Sequence, residues 1–355
     1  MTKLPTASLD SLRAVLDRMG EPSAVIAGAA GRLLVACRGG RILSWETAPG
    51  AENVFWSHDD AFACKSSAEL TALHGGMGGA RVWFGPEYAY GWDGEPDTER
   101  FTNYVVQPDQ DPGRYRIVQS AADCVTLQAE GRLHDYQAGR QVSFSLRRTI
   151  RADVDPGESG IGVPAGVTAF ALAVENELTM EARWPEARID VWQLAQFRVP
   201  ALLGFPLRTP GEPEVYCNPT GQRQWNVSPE TVLWRVDGTP STKIGFSTRL
   251  STGVIGAWLP ANREKGDARL FIWKLPVLDG ADYVDGPSPQ RFGDQVTQAW
   301  DGFGFCELEY HSPAARPGGQ PVRDRSILVV YQGPLDLLAE IARQELKIPR
   351  MESIP

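Results

Sequence analysis

The sequence comprises 355 residues, 42% hydrophobic and 22% charged, with 35 basic against 44 acidic side chains and a formal net charge of −9. That is ample apolar material for a large core. The acidic balance argues against nucleic acid or an anionic membrane surface as a partner and leaves a neutral solute open. No run of about 18 apolar residues occurs, so the sequence predicts no bilayer-spanning helix. The opening stretch, MTKLPTASLDSLRAVLDRMG, lacks the apolar centre and small-residue cleavage site of an export signal. Five cysteines, Cys37, Cys64, Cys124, Cys217 and Cys306, are widely spaced with no CxxC pair. They read as reduced buried thiols, and the cytoplasm is the expected compartment.

In sequence order, the first predicted element is a helix over Leu9–Met19, with Ser8 as N-cap, Leu12, Val15 and Leu16 on one face, and Gly20 and Pro22 at its end. Short apolar runs then alternate with clusters of Gly, Pro, Asp and Asn. They predict strands over 24–27, 33–37, 41–45, 80–85, 115–120, 124–128, 141–150, 167–175, 189–197, 232–235, 244–249, 254–259, 270–275, 305–311 and 327–332. Strands in such number without alternating helices imply an all-β fold of antiparallel sheets packed face to face. A last amphipathic helix over 335–346 follows Gly333 and Pro334. With no internal repeat, low-complexity tract or composition shift, residues 1–355 read as one large β-sandwich whose two end helices cover it.

Three stretches concentrate chemistry. Around residue 80 the sequence reads LHGGMGGARVWFGPE, where five glycines surround His74, Arg81, Trp83 and Glu87. Glycines in that number imply positive φ angles or close backbone approach. Strand alternation places Arg81 and Trp83 on one face and Val82 and Phe84 on the other, and a guanidinium beside an indole suits a sugar ring and its hydroxyls. In RIDVWQLAQFRVP the alternation puts Trp192, Leu194 and Gln196 on one face and Val191, Gln193, Ala195 and Phe197 on the other. Trp and Gln there suit stacking and amide hydrogen bonding, or equally a core Trp with edge Gln. Lys274 interrupts the apolar run FIWKLP and calls for a carboxylate or a ligand.

Near the C-terminus, Asp294 and Asp301 fall in a predicted loop, as partners of the following strand or as turn formers. In that strand, FCELEYH, alternation turns Cys306, Leu308 and Tyr310 to the core and gathers Glu307, Glu309 and His311 opposite. Two carboxylates at i and i+2 are about 7 Å apart, close enough to raise one pKa towards neutrality. A charged outer strand face is the plainer explanation of the same pattern. A divalent metal on Glu307, Glu309 and His311 is a further alternative; otherwise no cofactor is expected. Walker, GxGxxG, GxSxG and HExxH motifs are absent.

The order GGRILSWE, ENVFW, HGGMGGARVWFGPE, VWQLAQF, AWDG and ELEYHSPA resembles the galactose-mutarotase-like superfamily, of the aldose 1-epimerase type. Bacterial members with a GG-x-R-x-W-x-x-PE segment and a late ELE strand are the nearer likeness, and the resemblance runs from about residue 24 to 332. It implies a supersandwich that binds a monosaccharide or sugar end on its concave face, with a late Glu as base on the anomeric hydroxyl and a His as acid on the ring oxygen. On that likeness His74 matches the early His-Gly element, Arg81 the sugar-orienting Arg, and Glu307 or Glu309 the base. The H-x-Y-x-N element that the epimerases carry midway along the sequence is missing. VWQLAQF stands there, with Gln193 or Gln196 in place of an acid, so His74 or His311 would have to serve. The substrate-binding set expected with them is Arg81, Trp83, Glu87, Trp192, Gln193, Gln196, Lys274, Asp294 and Asp301. The expected function is epimerase-like acid-base chemistry on a small-molecule carbohydrate, with glycoside cleavage or sugar binding without turnover as alternatives.

Overall fold

The computed structural model describes residues 7–73, 76–97, 101–160, 162–239, 241–259, 268–287 and 293–348. With strands numbered along the sequence, the first sheet runs β1 (Ser23–Gly28), β2 (Gly31–Ala36), β3 (Arg41–Glu46), β4 (Ala80–Gly85), β9 (Asp190–Arg198), β18 (Phe305–His311), β17 (Gln295–Gly302), β14 (Thr242–Ser247), β11 (Glu214–Cys217). The second runs β12 (Trp225–Val227), β13 (Thr231–Val236), β10 (Ala201–Pro206), β15 (Val254–Leu259), β16 (Ala268–Lys274), β19 (Val322–Gly333), β8 (Thr168–Glu181), β7 (Arg140–Arg151), β6 (Cys124–Asp135), β5 (Arg116–Ser120). Neighbouring strands pair antiparallel throughout the described residues, as an all-β sandwich requires.

The core lies between the sheets, where the apolar half of each alternating strand meets its counterpart. Rings span the gap: Phe84 of β4 lies 4.1 Å from Phe144 of β7, Phe197 of β9 lies 4.7 Å from Phe271 of β16, and Phe205 of β10 stacks 4.5 Å from Phe246 of β14. Helix α1 (Leu9–Met19) is capped as predicted, with the Ser8 hydroxyl accepting from the Ser11 N–H and the Ser11 hydroxyl accepting from the Ser8 N–H. Its face of Leu9, Leu12, Val15 and Leu16 covers Leu34, Ala36 and Leu43 on the outer side of the first sheet. The C-terminal helix (Leu335–Glu345) sets Leu338, Ile341 and Ala342 against Leu270, Ile272 and Val329 on the outer side of the second. All five cysteines are free and buried. No helix among the described residues is long and apolar enough to cross a membrane.

Four strands went unpredicted. β10 reads ALLGFP and is buried along its whole length, so it shows no alternation, and its Gly and Pro look like punctuation. β11 and β12 have only four and three residues. β17, QVTQAWDG, has the polarity of a loop, and the loop expected there is corrected to a strand in which every residue is buried. Several of its polar groups find buried partners: Thr297 bonds Ser251, and the Gln298 amide nitrogen donates to Tyr216 and Asp285.

Because Phe197 joins Phe55 and Phe271 across the sandwich while its strand carries the opposite face elsewhere, Phe197→Ala should cost about 3–5 kcal/mol of stability. Urea unfolding monitored by tryptophan fluorescence measures this as a lowered midpoint.

Candidate functional site

β9 sits between β4 and β18, and its register decides what meets. Arg81 lies opposite Leu194 and Trp83 opposite Trp192; Gln196 lies opposite Glu307 and Trp192 opposite His311. Because side chains alternate, one face of these three strands carries Val82, Phe84, Ala195, Phe197 and Leu308 into the core. The other face carries Arg81, Trp83, Trp192, Leu194, Glu307 and Glu309 into a cavity of about 690 Å³.

The glycine pair before β4 makes this junction possible. Gly78 and Gly79 have φ of 92° and 87°, and a Cβ on either would fall 2.2 Å from the Trp56 carbonyl oxygen or 2.5 Å from that of Ile42. The backbone therefore threads closely past β3 before turning into the sheet.

On the cavity floor the two glutamates have different partners. Glu307 accepts at Oε1 from both Arg81 and Gln196, each at 2.9 Å. Glu309 accepts at Oε2 from the Trp192 indole at 2.8 Å and lies 3.0 Å from the Lys243 ammonium. Lys243, from β14, also bonds Glu87 at 2.7 Å, and its ammonium lies 4.4 Å from the Trp192 ring centroid and 5.0 Å from that of Tyr216. The Arg81 guanidinium stacks 3.9 Å over Trp83, whose indole donates to Asp111 at 3.0 Å, and Arg41 pairs with the same Asp111.

Burial and neighbouring charge set the protonation states. Burial pushes the Glu309 carboxyl up to about 7; Lys243 pulls it down, while Glu307 and Glu87 push it further up. Burial works against the charge on Lys243, but Glu309, Glu87 and Asp285 outweigh it and hold its pKa above the usual lysine value. Burial also raises Tyr104 and Tyr216 well above an ordinary phenol, with nearby carboxylates adding to the effect, so both stay neutral.

On the same face, at the end of β18 and outside the cavity, lies His311, fully buried and stacked 5.4 Å from Trp192 at 17°. Its Nδ1 is 3.2 Å from both oxygens of Asp190 and its Nε2 is 3.7 Å from Asp285. Burial opposes the imidazolium, but Asp285 and Asp190 raise its pKa nonetheless. Asp285 in turn accepts from the Glu87 N–H and the Tyr216 hydroxyl, each at 2.7 Å. A Cβ at Gly85 would meet Asp190 at 2.6 Å and the His311 ring at 3.0 Å, so glycine there makes room for the pair.

Of the residues singled out in the sequence, Arg81, Trp83, Glu87, Trp192, Glu307 and Glu309 converge on the cavity, with Gln196 just behind its wall on Glu307. His74 lies outside the described residues. His311 does not reach the cavity, and with both ring nitrogens turned to Asp190 and Asp285 it does not converge with Glu307 and Glu309 on a metal position. No group of three His, Cys, Asp or Glu among the described residues is arranged to hold one.

Four expected binding residues lie elsewhere. Gln193 points between the sheets and accepts from the buried Arg148 at 3.0 Å; Arg148 also bonds Asn176, which donates to Asp324. Lys274 finds its carboxylate in Glu345 of the C-terminal helix, 2.9 Å away. Asp294 is exposed and accepts from the Thr248 hydroxyl. Asp301 is in β17 rather than a loop and caps the 237–238 turn through the Gly238 N–H at 2.8 Å.

Lys243, Tyr216, Asp111 and Tyr104 are site residues that the sequence alone did not reveal. Lys243 carries a signal, a lysine at the threshold of an apolar strand, but the apolar run that marks the strand begins one residue after it. Asp111 and Tyr104 come from the irregular segment between β4 and β5, where no periodicity reveals direction.

Among the described residues, two antiparallel sheets of nine and ten strands form a sandwich of the galactose-mutarotase-like fold, and the aromatic-walled, carboxylate-floored cavity lies on the outer face of one of them. The protein belongs to the family of unknown function DUF6786, which matches residues 31–285. Among solved structures it is similar to a candidate aldose 1-epimerase of Escherichia coli K12, over 88% of this chain and 99% of that one, at 11% identity and a TM-score of 0.51. It is also similar to galactose 1-epimerase from Lactobacillus acidophilus NCFM, over 88% and 95%, at 9% identity and a TM-score of 0.49. No curated protein matches the sequence. At these identities the likeness is one of fold.

Lys243→Met removes the charge that holds the Glu309 pKa down, so that carboxyl should titrate above about 7. Carbon-13 NMR of glutamate-labelled protein reads the shift; an unmoved or lowered titration would refute the assigned coupling.

Proposed function

We propose that the cavity binds a monosaccharide or the end of a longer sugar and exchanges its anomers by acid-base chemistry. The observation that carries this reading is the carboxyl pair on β18, held by opposite partners at the base of aromatic walls. Glu307, beside Arg81 and Gln196, is the base that takes the anomeric hydroxyl proton. Glu309, with its pKa pushed up to about 7, is in part protonated at neutral pH and gives its proton to the ring oxygen. The bond from C1 to the ring oxygen then breaks, the open aldehyde turns about C1–C2, and closure on the other face returns a proton to each donor. Glu309 fills the role expected of a histidine, since His311 is walled off behind Trp192.

Trp83 and Trp192 supply apolar wall beside a pyranose, while Arg81 and Lys243, which lie against the faces of these two indoles, reach its hydroxyls. The E. coli structural neighbour supports this reading through its fold and its epimerase description. Glycoside cleavage is the second reading, favoured by one feature: a spacing of about 7 Å between alternate strand residues falls in the range of inverting carboxyl pairs. Release of nitrophenol from aryl glycosides would select it.

The test is anomeric exchange followed by NMR over a panel of neutral aldoses. Acceleration is expected, with Glu307→Gln reducing it about a hundredfold or more. The rate should fall as pH rises through about 7, because Glu309 must carry its proton, and Glu309→Gln should abolish that alkaline limb. No acceleration with any sugar would remove the proposal.

A further inference from the structure

β17 returns into β18 through Phe303 and Gly304, with Gly302 and Phe305 paired as the last rung of the hairpin. Both turn residues have positive φ, 52° and 83°. Such a two-residue turn ordinarily takes Asn, Asp or Gly first, and a bulky side chain there is strained. An aromatic nonetheless occupies the position, and it is 52% exposed. Its ring lies 5.2 Å from Trp300 at 34° and 6.4 Å from Phe101, which also has a positive φ, 54°. All three line the cavity where it opens to solvent, joined there by the exposed Val106. Local strain combined with an exposed apolar ring is poor design for folding alone, and it directs attention to a ligand.

We propose that Phe303, with Trp300 and Phe101, forms an outer subsite that stacks the second ring of a neutral oligosaccharide whose end lies in the inner pocket. The inference rests on the reading above only in requiring that the inner pocket accept a sugar ring. Three observations select this occupant. The cavity, at about 690 Å³, lies well inside the range of about 300–1,000 Å³ filled by ligands much larger than one pyranose. The rim side chains are flat and uncharged, matched to the C–H face of a sugar. Each cation among the described residues lining the cavity already has a carboxylate: Arg38 has Glu21, Arg41 has Asp111, Arg81 has Glu307 and Lys243 has Glu87. A phosphate or carboxylate on the ligand would have to displace one of these pairs.

Phe303→Asn tests this without harming the turn, since Asn is favoured at that position. Calorimetric titrations would compare glucose with maltose and cellobiose, and galactose with lactose and phenyl galactoside. At least one disaccharide should bind more tightly than its monosaccharide. The substitution should weaken that disaccharide about two- to tenfold, the scale of one aromatic stacking contact, and leave the monosaccharide within twofold. The melting temperature should hold or rise. Equal effects on both ligands, no effect on either, a lowered melting temperature, or no disaccharide preference in the wild type would each overturn the proposal. A gain for phenyl galactoside matching that for lactose would overturn the sugar assignment in favour of an apolar substituent. Anomeric exchange measured on the same samples separates the two readings. A disaccharide preference without exchange leaves the outer subsite standing and removes the catalysis; exchange without the preference does the reverse.

Discussion

The arrangement depends on the register of three strands. β9 pairs with β4 on one side and β18 on the other, joining residues more than two hundred positions apart in the sequence. A slip of one residue in either ladder would turn Trp192 and Leu194, or Glu307 and Glu309, into the apolar layer and bring Phe197 or Leu308 out. The core therefore enforces the site: the fit of Val82, Phe84, Phe197 and Leu308 between the sheets allows only the register that puts the carboxyl pair beside Arg81.

Such a concentration of ionised groups away from water is costly unless each charge is matched. The match here alternates in sign, from Glu309 to Lys243 to Glu87, with Asp285 behind and His311 beyond it. Lys243 is the hub, touching two carboxylates and two aromatic rings. A ligand of the kind proposed would meet hydrogen-bonding groups already held in position by one another, so less ordering would be left to be done on binding.

Much of this was legible in the sequence, for a specific reason. Alternation with period two sorts a strand into two faces, so β4, β9 and β18 yielded the correct sets without any knowledge of their neighbours; for β9 it did not say which set meets the cavity, and residues of both were expected there. The likeness of motif order to the mutarotase sandwich supplied the large-scale fold. What alternation cannot carry is which strand lies alongside which. Lys274 interrupts an apolar run and Lys243 stands at the threshold of one, yet the first meets the C-terminal helix and the second the candidate site. Gln193 and His311 show a second limit. Polar residues on a predicted inward or ligand face can be satisfied by other buried groups, Arg148 in one case and Asp190 in the other, and those partners come from strands or turns far away in the sequence.

The buried carboxyls have an effect on the molecule as a whole. Glu309, Asp301 and Asp324 are each raised to about 7, desolvation being the largest cause in every case. In the unfolded state the same groups ionise near 4, so at neutral pH the folded protein carries protons that it must release to solvent when it opens. Its native charge is correspondingly less negative than the formal count. As pH rises from about 4 through about 7 these groups progressively favour the unfolded state, the effect levelling off above that, and the folded molecule acts as a small buffer around pH 7.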